Sequence, residues 1–253
     1  MNVVLGVIGG SGLYALPEFH LEDSVQMETP YGLPSGPIRI GMLYAQRVAF
    51  LARHGEGHNL PPHRINYRAN VWALKQIARR VLAVNTVGGI TPRCPPRALV
   101  VPDQIIDYTH GRAASYWDGA GEMLHAEFGE PYTRTLRAAL LVAGAASGVE
   151  LVDGGCHGAT QGPRFESRAE IVRIQRDGCD LVGMTGMPEA ALARELGLEY
   201  ACLAPVANWA AGAGDGLEIT LDEVFANLKA CNAQLPALLK ALLTASGEVP
   251  ATS

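Results

Sequence analysis

The sequence predicts a single α/β domain with a central mixed β-sheet flanked by helices. Short apolar runs that end in glycine alternate with segments whose apolar residues recur at helical spacing. No internal repeat, linker or shift in composition divides the 253 residues, so one domain spans 1–253, with 246–253 expected as a frayed tail. With 48% hydrophobic and 18% charged residues the chain can fill one sizeable core, which excludes a disordered or fibrous protein.

The elements follow in order. Residues 3–8 form an apolar run into Gly9-Gly10, the pattern of a buried strand ending in a turn. Residues 38–43 and 47–51 pair as a hairpin. Over 64–80 the apolar residues Ile65, Val71, Trp72, Leu74, Ile77 and Ala78 wrap one face of a helix. That helix feeds a buried strand at 81–84, leading to Gly88-Gly89, and 99–108 is a further strand. From 110 to 130 the periodicity dissolves, and a loop of that length in a compact domain points to function. A helix follows Pro131; strands are expected at 150–158, 181–183 and 198–206, with a helix over 166–178. Pro188 suits the start of another helix, and Thr220-x-x-Glu223 has the form of a capping box opening the C-terminal helix.

Charge and cysteine usage narrow the function classes. Twenty Lys+Arg against 25 Asp+Glu give −5, so no basic field invites nucleic acid or an anionic membrane. Seventeen of the 20 cations are Arg, the residue suited to anion clamps. Five widely spaced Cys without a C-x-x-C motif argue against a disulfide framework or zinc site and for a reducing compartment. The uncharged stretch 1–17 is broken by glycines and lacks a preceding basic segment, so the chain reads as cytosolic rather than membrane-bound.

Several segments can carry chemistry, each with a plainer alternative. Gly9-Gly10-Ser11-Gly12 after a strand can hold an anion on its backbone N–H groups; it can equally be a turn, or the loosest dinucleotide fingerprint, with Glu28 at the right distance but in a turn. Arg53-His54-Gly55-Glu56-Gly57-His58, with His63 and Arg64 beyond, suits phosphate contact, a metal site or ordinary loop polarity. Asn85-Thr86-Val87-Gly88-Gly89 offers a hydroxyl and N–H groups at a strand end, where open α/β sheets bind ligands. Convergence of these three segments at one end of a sheet makes a phosphate pocket. Glu166 can favour a helix N-terminus, Phe165 and Met184 can be core, and Asn208 can shape a turn.

Five motifs, co-linear over nearly the whole chain, resemble the trimeric purine nucleoside phosphorylase family, most closely its methylthio-nucleoside branch. They are Ile8-Gly9-Gly10-Ser11-Gly12-Leu13, Leu51-Ala52-Arg53-His54-Gly55, the run from Asn66 to Lys75, Gln161-Gly162-Pro163-Arg164-Phe165, and Met184-Thr185-Gly186-Met187-Pro188-Glu189. The resemblance implies cleavage of a purine N-glycosidic bond by inorganic phosphate, a co-substrate, with no cofactor or metal. By matching position it implies phosphate contacts at Ser11, Arg53, His54, Thr86 and Val87. It sets Met184 against the ribose, Phe165 against the base, Thr185 among the substrate contacts, and His125 in the 5' pocket of a neighbouring subunit of a homotrimer.

The base-reading pair departs from the methylthioadenosine enzymes. Those usually carry Asp in place of Asn208 and of Ala210 and a small hydroxyl residue in place of Glu166, whereas Glu and Asn at 166 and 208 match the 6-oxopurine enzymes. A 6-oxopurine offers N1–H to a carboxylate, and O6 and N7 to an amide; adenine offers a bare N1 lone pair that a carboxylate leaves unpaired. The resemblance therefore implies S-methyl-5'-thioinosine as substrate, with Glu166 and Asn208 acting on the leaving base. Inosine/guanosine and methylthioadenosine phosphorolysis are the alternatives.

Overall fold

The computed structural model describes residues 3–10, 16–119, 122–214 and 218–246. Ser11 and residues 247–253 lie outside the described residues; Ser246, placed in the tail on sequence grounds, instead ends the last helix.

Twelve strands and six α-helices are described. In chain order they are β1 (Leu5–Gly9), β2 (His20–Val25), β3 (Ile38–Leu43), β4 (Gln46–Ala52), α1 (Tyr67–Ile77), β5 (Arg80–Val84), β6 (Val87–Gly89), β7 (Leu99–Val101) and β8 (Gln104–Asp107). There follow α2 (Arg134–Ser147), β9 (Leu151–Asp153), β10 (Cys156–Ala159), α3 (Arg168–Arg176), β11 (Leu181–Gly183), α4 (Glu189–Glu195), β12 (Glu199–Trp209), α5 (Leu221–Asn232) and α6 (Leu235–Ser246). The strands run β2-β3-β4-β1-β5-β12-β6-β11-β10-β8, with β7 joining β12 to β9. Pairing is parallel from β4 through β1, β5 and β12 to β6, and antiparallel in the β2-β3-β4 meander and between β6 and β11. This is the mixed sheet expected.

The differences from expectation have local causes. The single strand at 99–108 is two, because Pro102 cannot donate to a ladder. The strand at 150–158 divides at Gly154-Gly155, whose φ values of 81° and 115° turn the chain. β2 was not expected: HLEDSV is polar and exposed, and it forms the sheet edge. Helix α1 begins later than predicted, where the Asn66 side chain accepts from the Ala69 N–H. Helix α3 begins at a reciprocal capping box of Ser167 and Glu170, which leaves Glu166 outside the helix. The C-terminal helix is two helices, α5 opening on the predicted Thr220 cap.

The strand β12, eleven residues long, is the spine. Its first half pairs with β5, its middle with β7 and its end with β6. One large cluster packs α1 and α4 against one face of the sheet, including Val71, Leu74 and Leu192. A second packs α2 and α6 on the opposite face, including Leu140, Leu239 and Leu243. Among the described residues no helix is long and apolar enough to cross a membrane. All five cysteines are free thiols.

Candidate active site

Because β1, β4, β5, β12 and the pair β10-β11 run parallel within their groups, the segments that leave their carboxyl ends gather around one cavity of about 570 Å³. Gly10 comes from β1, Arg53 and His54 from β4, Thr86 and Val87 from β5 into β6, Met184 and Thr185 from β11, and Asn208 from β12. Phe165 and Glu166 arrive on the loop between β10 and α3.

Arg53 is buried to 1% exposure and anchors this end of the sheet. Its Nε and Nη2 donate to Glu189 Oε2 and Oε1 at 2.8 and 2.9 Å, Nη2 also donates to Ile8 O at 3.1 Å, and Nη1 to Val84 O at 2.9 Å. The guanidinium thus ties the ends of β1 and β5 to the start of α4. Of its five N–H groups one, on Nη1, has no protein partner among the described residues, and Arg53 lines the cavity. Burial alone lowers the Arg53 pKa, but the Glu189 carboxylate outweighs it and raises the pKa, so the cation is permanent. Glu189 accepts also from Tyr200 Oη at 2.8 Å.

Next to it, His54 holds its ring by an Nδ1 bond of 2.9 Å to Leu60 O and stacks on His58 at 4.5 Å between centroids. A carbonyl only accepts, so Nδ1 carries the proton and Nε2 is left as an acceptor. Burial, with the Arg53 and His58 charges, lowers its pKa to about 4 against the pull of the Leu60 carbonyl. The fixed cation, the Thr86 and Thr185 hydroxyls and the strand-end backbone together suit an oxyanion, while His54 Nε2 can accept from a protonated oxygen of that anion.

Phe165, Glu166 and Asn208 add an aromatic ring, a carboxylate and an amide to the same cavity. Thr160 Oγ1 donates to Glu166 Oε1 at 2.5 Å. Asn208 follows a register shift between Val206 and Asn208 against β6, a bulge that re-aims its side chain, and its Nδ2 donates to Trp209 O at 2.7 Å. Phe165, 48% exposed, stands at the rim.

Residues 4–244 match the model of the phosphorylase superfamily. The chain belongs to that superfamily. A probable S-methyl-5'-thioinosine phosphorylase of Xanthomonas campestris pv. campestris is 61% identical over 240 residues, 94% of this chain and 96% of its own. An S-methyl-5'-thioadenosine phosphorylase of Mycobacterium tuberculosis is 49% identical over 229 residues, 88% of this chain and 82% of its own. The crystal structure of a methylthioadenosine phosphorylase from an antarctic soil metagenomic library superposes with a TM-score of 0.92 at 33% identity, covering 98% of this chain and 88% of that one.

Of the residues expected from sequence in this phosphorylase, Arg53, His54, Thr86, Val87, Phe165, Glu166, Met184, Thr185 and Asn208 share the cavity. His125 does not line it; it is exposed on the irregular loop after β8. The dinucleotide alternative needs a helix after the glycines, whereas the described part of that connection is a turn at 17–18 leading into β2. For the metal alternative, among the described residues no three His, Cys, Asp or Glu side chains gather as a metal site.

Two sets of residues escaped the sequence reading. Arg112, in the long loop, donates from Nη2 to Thr160 O, Gln161 O and Met184 O at 3.1, 2.9 and 3.0 Å. From Nη1 it donates to Met187 O at 2.5 Å and Tyr67 Oη at 3.1 Å. It therefore braces both walls of the cavity; only the length of the loop hinted at it. Ile219, just before the Thr220 cap, and Val224, Phe225 and Leu228 on α5 form an apolar wall. Their spacing within α5 was visible, but not which way that face turned.

Proposed function

We propose that the chain catalyses phosphate-dependent cleavage of S-methyl-5'-thioinosine to hypoxanthine and 5-methylthioribose 1-phosphate. The observation that carries this reading is the joint presence of Glu166 and Asn208 in a cavity to which Ile219, Val224, Phe225 and Leu228 contribute an apolar wall. The Glu166 carboxylate accepts the N1–H of a 6-oxopurine, and the Asn208 Nδ2–H not given to Trp209 O donates on the O6 and N7 side of the base. The α5 wall suits a methylthio group, which has no hydrogen bond to lose there. The 61% identity to a probable S-methyl-5'-thioinosine phosphorylase supports the same reading.

In this mechanism phosphate sits against Arg53, His54, Thr86, Val87, Thr185 and Ser11, beneath C1' of the sugar, with Met184 against the ribose. As the C1'–N9 bond breaks, the sugar becomes oxocarbenium-like and negative charge grows on the purine. The fixed Arg53 cation holds the nucleophile in place, and Asn208 donates to the departing base while Phe165 packs on it. Phosphate oxygen bonds to C1' as the base leaves, and no cofactor takes part. The reading extends to a cytosolic homotrimer in which His125 reaches a neighbouring subunit's 5' pocket. Trp117, Met123 and Leu124, exposed on the same loop, give that loop an apolar surface for a second copy.

The test compares kcat/KM for methylthioinosine, inosine and methylthioadenosine in phosphate, with Asn208→Asp beside the native enzyme. Methylthioinosine is expected to be the best substrate, and Asn208→Asp to shift preference toward the 6-amino base. Efficient turnover of methylthioadenosine alone overturns the assignment of Glu166 and Asn208. A preference for inosine over its methylthio analogue overturns the role of the α5 wall.

A further inference from the structure

Thr160 belongs to none of the expected site residues, yet its position is unusually well determined. It is 9% exposed and follows directly on β10. Its N–H donates to Gly183 O at 2.7 Å, and its carbonyl accepts from Arg112 Nη2 at 3.1 Å, so the backbone is pinned from two sides. The hydroxyl has one proton and two acceptors within reach, Glu166 Oε1 at 2.5 Å and Gly183 O at 3.3 Å. The carboxylate is nearer and charged, and Gly183 O already receives the Thr160 N–H, so the proton goes to Glu166.

This bond decides where the carboxylate points. Glu166 stands between the active-site cavity and a polar cleft that also contains His110, Arg164 and Arg173. Arg164 is engaged by Glu170 through two bonds of 2.8 Å, but its charge remains close enough to Glu166 for the two to interact. A carboxylate on an exposed loop beside such cations has an alternative to facing a ligand. With Oε1 held by Thr160, Oε2 has no protein partner among the described residues and is free to accept from a ligand in the cavity.

We propose that Thr160 is a positioning residue that holds Glu166 as a hydrogen-bond acceptor for the base and so sets the preference for 6-oxopurines over 6-aminopurines. This rests on the reading of Glu166 given above. A merely structural role of Thr160 lowers stability and affects all ligands alike, whereas the proposed role moves the ratio between bases.

The test is calorimetric Kd of hypoxanthine and of adenine, in saturating phosphate, alongside kcat/KM for methylthioinosine, on Thr160→Val, Thr160→Ser, Glu166→Gln and the Thr160→Val/Glu166→Gln double variant. Thr160→Val is expected to weaken hypoxanthine by roughly tenfold with adenine nearly unchanged, the scale of one hydrogen bond to a charged group. Thr160→Ser, which keeps the hydroxyl, is expected to restore the native ratio, and the double variant to lose no more than Glu166→Gln alone. Thr160→Ala carries the same expectation, so a folding failure of the valine variant leaves the test intact. If Glu166→Gln collapses the hypoxanthine preference but Thr160→Val does not change it, or if the two effects multiply, the role of Thr160 is overturned and that of Glu166 stands. If Glu166→Gln leaves the preference unchanged, both fall.

Discussion

At Arg53 one side chain is both structural and placed for chemistry. Taking a guanidinium and a carboxylate out of water costs several kcal/mol each, and the pair is tolerated because Glu189, two strand-end carbonyls and Tyr200 satisfy nearly every donor and acceptor. The consequence is a cavity-lining cation that cannot swing away. Removing only Glu189 leaves that cation buried and half-paired. Glu189→Ala is expected to destabilise the fold by about 3–5 kcal/mol in denaturant titration, with weaker phosphate dependence of activity. A change below about 1 kcal/mol counts against the buried pair as the anchor of this end of the sheet. Arg53 itself was legible in the sequence as a candidate for this cavity. Its bond to Glu189, 136 residues later, was not, because a pairing over that distance in the chain has no local signal.

At the scale of elements, the loop that follows β8 earns its length through Arg112. Its guanidinium spans the carbonyls of Thr160, Gln161, Met184 and Met187, which belong to the two segments that carry Glu166 and Thr185. Lysine has a single ammonium group and cannot reproduce a planar fork across several carbonyls. Arg112→Lys is therefore expected to reduce kcat/KM by at least about tenfold, the cost of one or two lost charge-assisted bonds, with little change in far-UV circular dichroism. Native kinetics in that variant would exclude the brace. The strand-by-strand reading succeeded where the apolar run was long or sharply punctuated, as at β3 and β11, and failed at β2, which is polar because it lies at the edge. It also merged β9 with β10, since Gly154-Gly155 can be read as part of a strand until their positive φ values are known.

For the whole molecule, burial of histidine links stability to pH. His157 on β10 is fully buried, and burial together with the Arg53 charge lowers its pKa to about 4, below the ordinary value of 6.5. Between those values the unfolded chain binds a proton that the folded protein does not, so stability falls as pH drops from about 6.5 toward 4 and is fully retained above it. His157 contributes a slope of about 1.4 kcal/mol per pH unit in that window. His54 acts in the same direction, and less because it is partly open to water. Urea titrations at pH 7.5 and 4.5 are expected to show the loss, and His157→Phe to flatten the pH dependence whatever it does to stability at pH 7.5. An unchanged slope in that variant would mean that His157 is not the group that titrates.

Fold class, the motifs that mark the superfamily and most of the polar side chains that line the cavity were legible in the linear chain. Hydrophobic periodicity, glycine punctuation and residue chemistry are local properties, and they are written in order along the chain. Folding of the whole chain set the rest: Arg53 is locked to Glu189, Arg112 ties together the segments that carry Glu166 and Thr185, Thr160 bonds Glu166, and Val224, Phe225 and Leu228 of α5 line the cavity. Each of these depends on which distant backbone carbonyl or side chain lies within hydrogen-bond or packing distance once the sheet has closed. That proximity is set by the packing of the whole core.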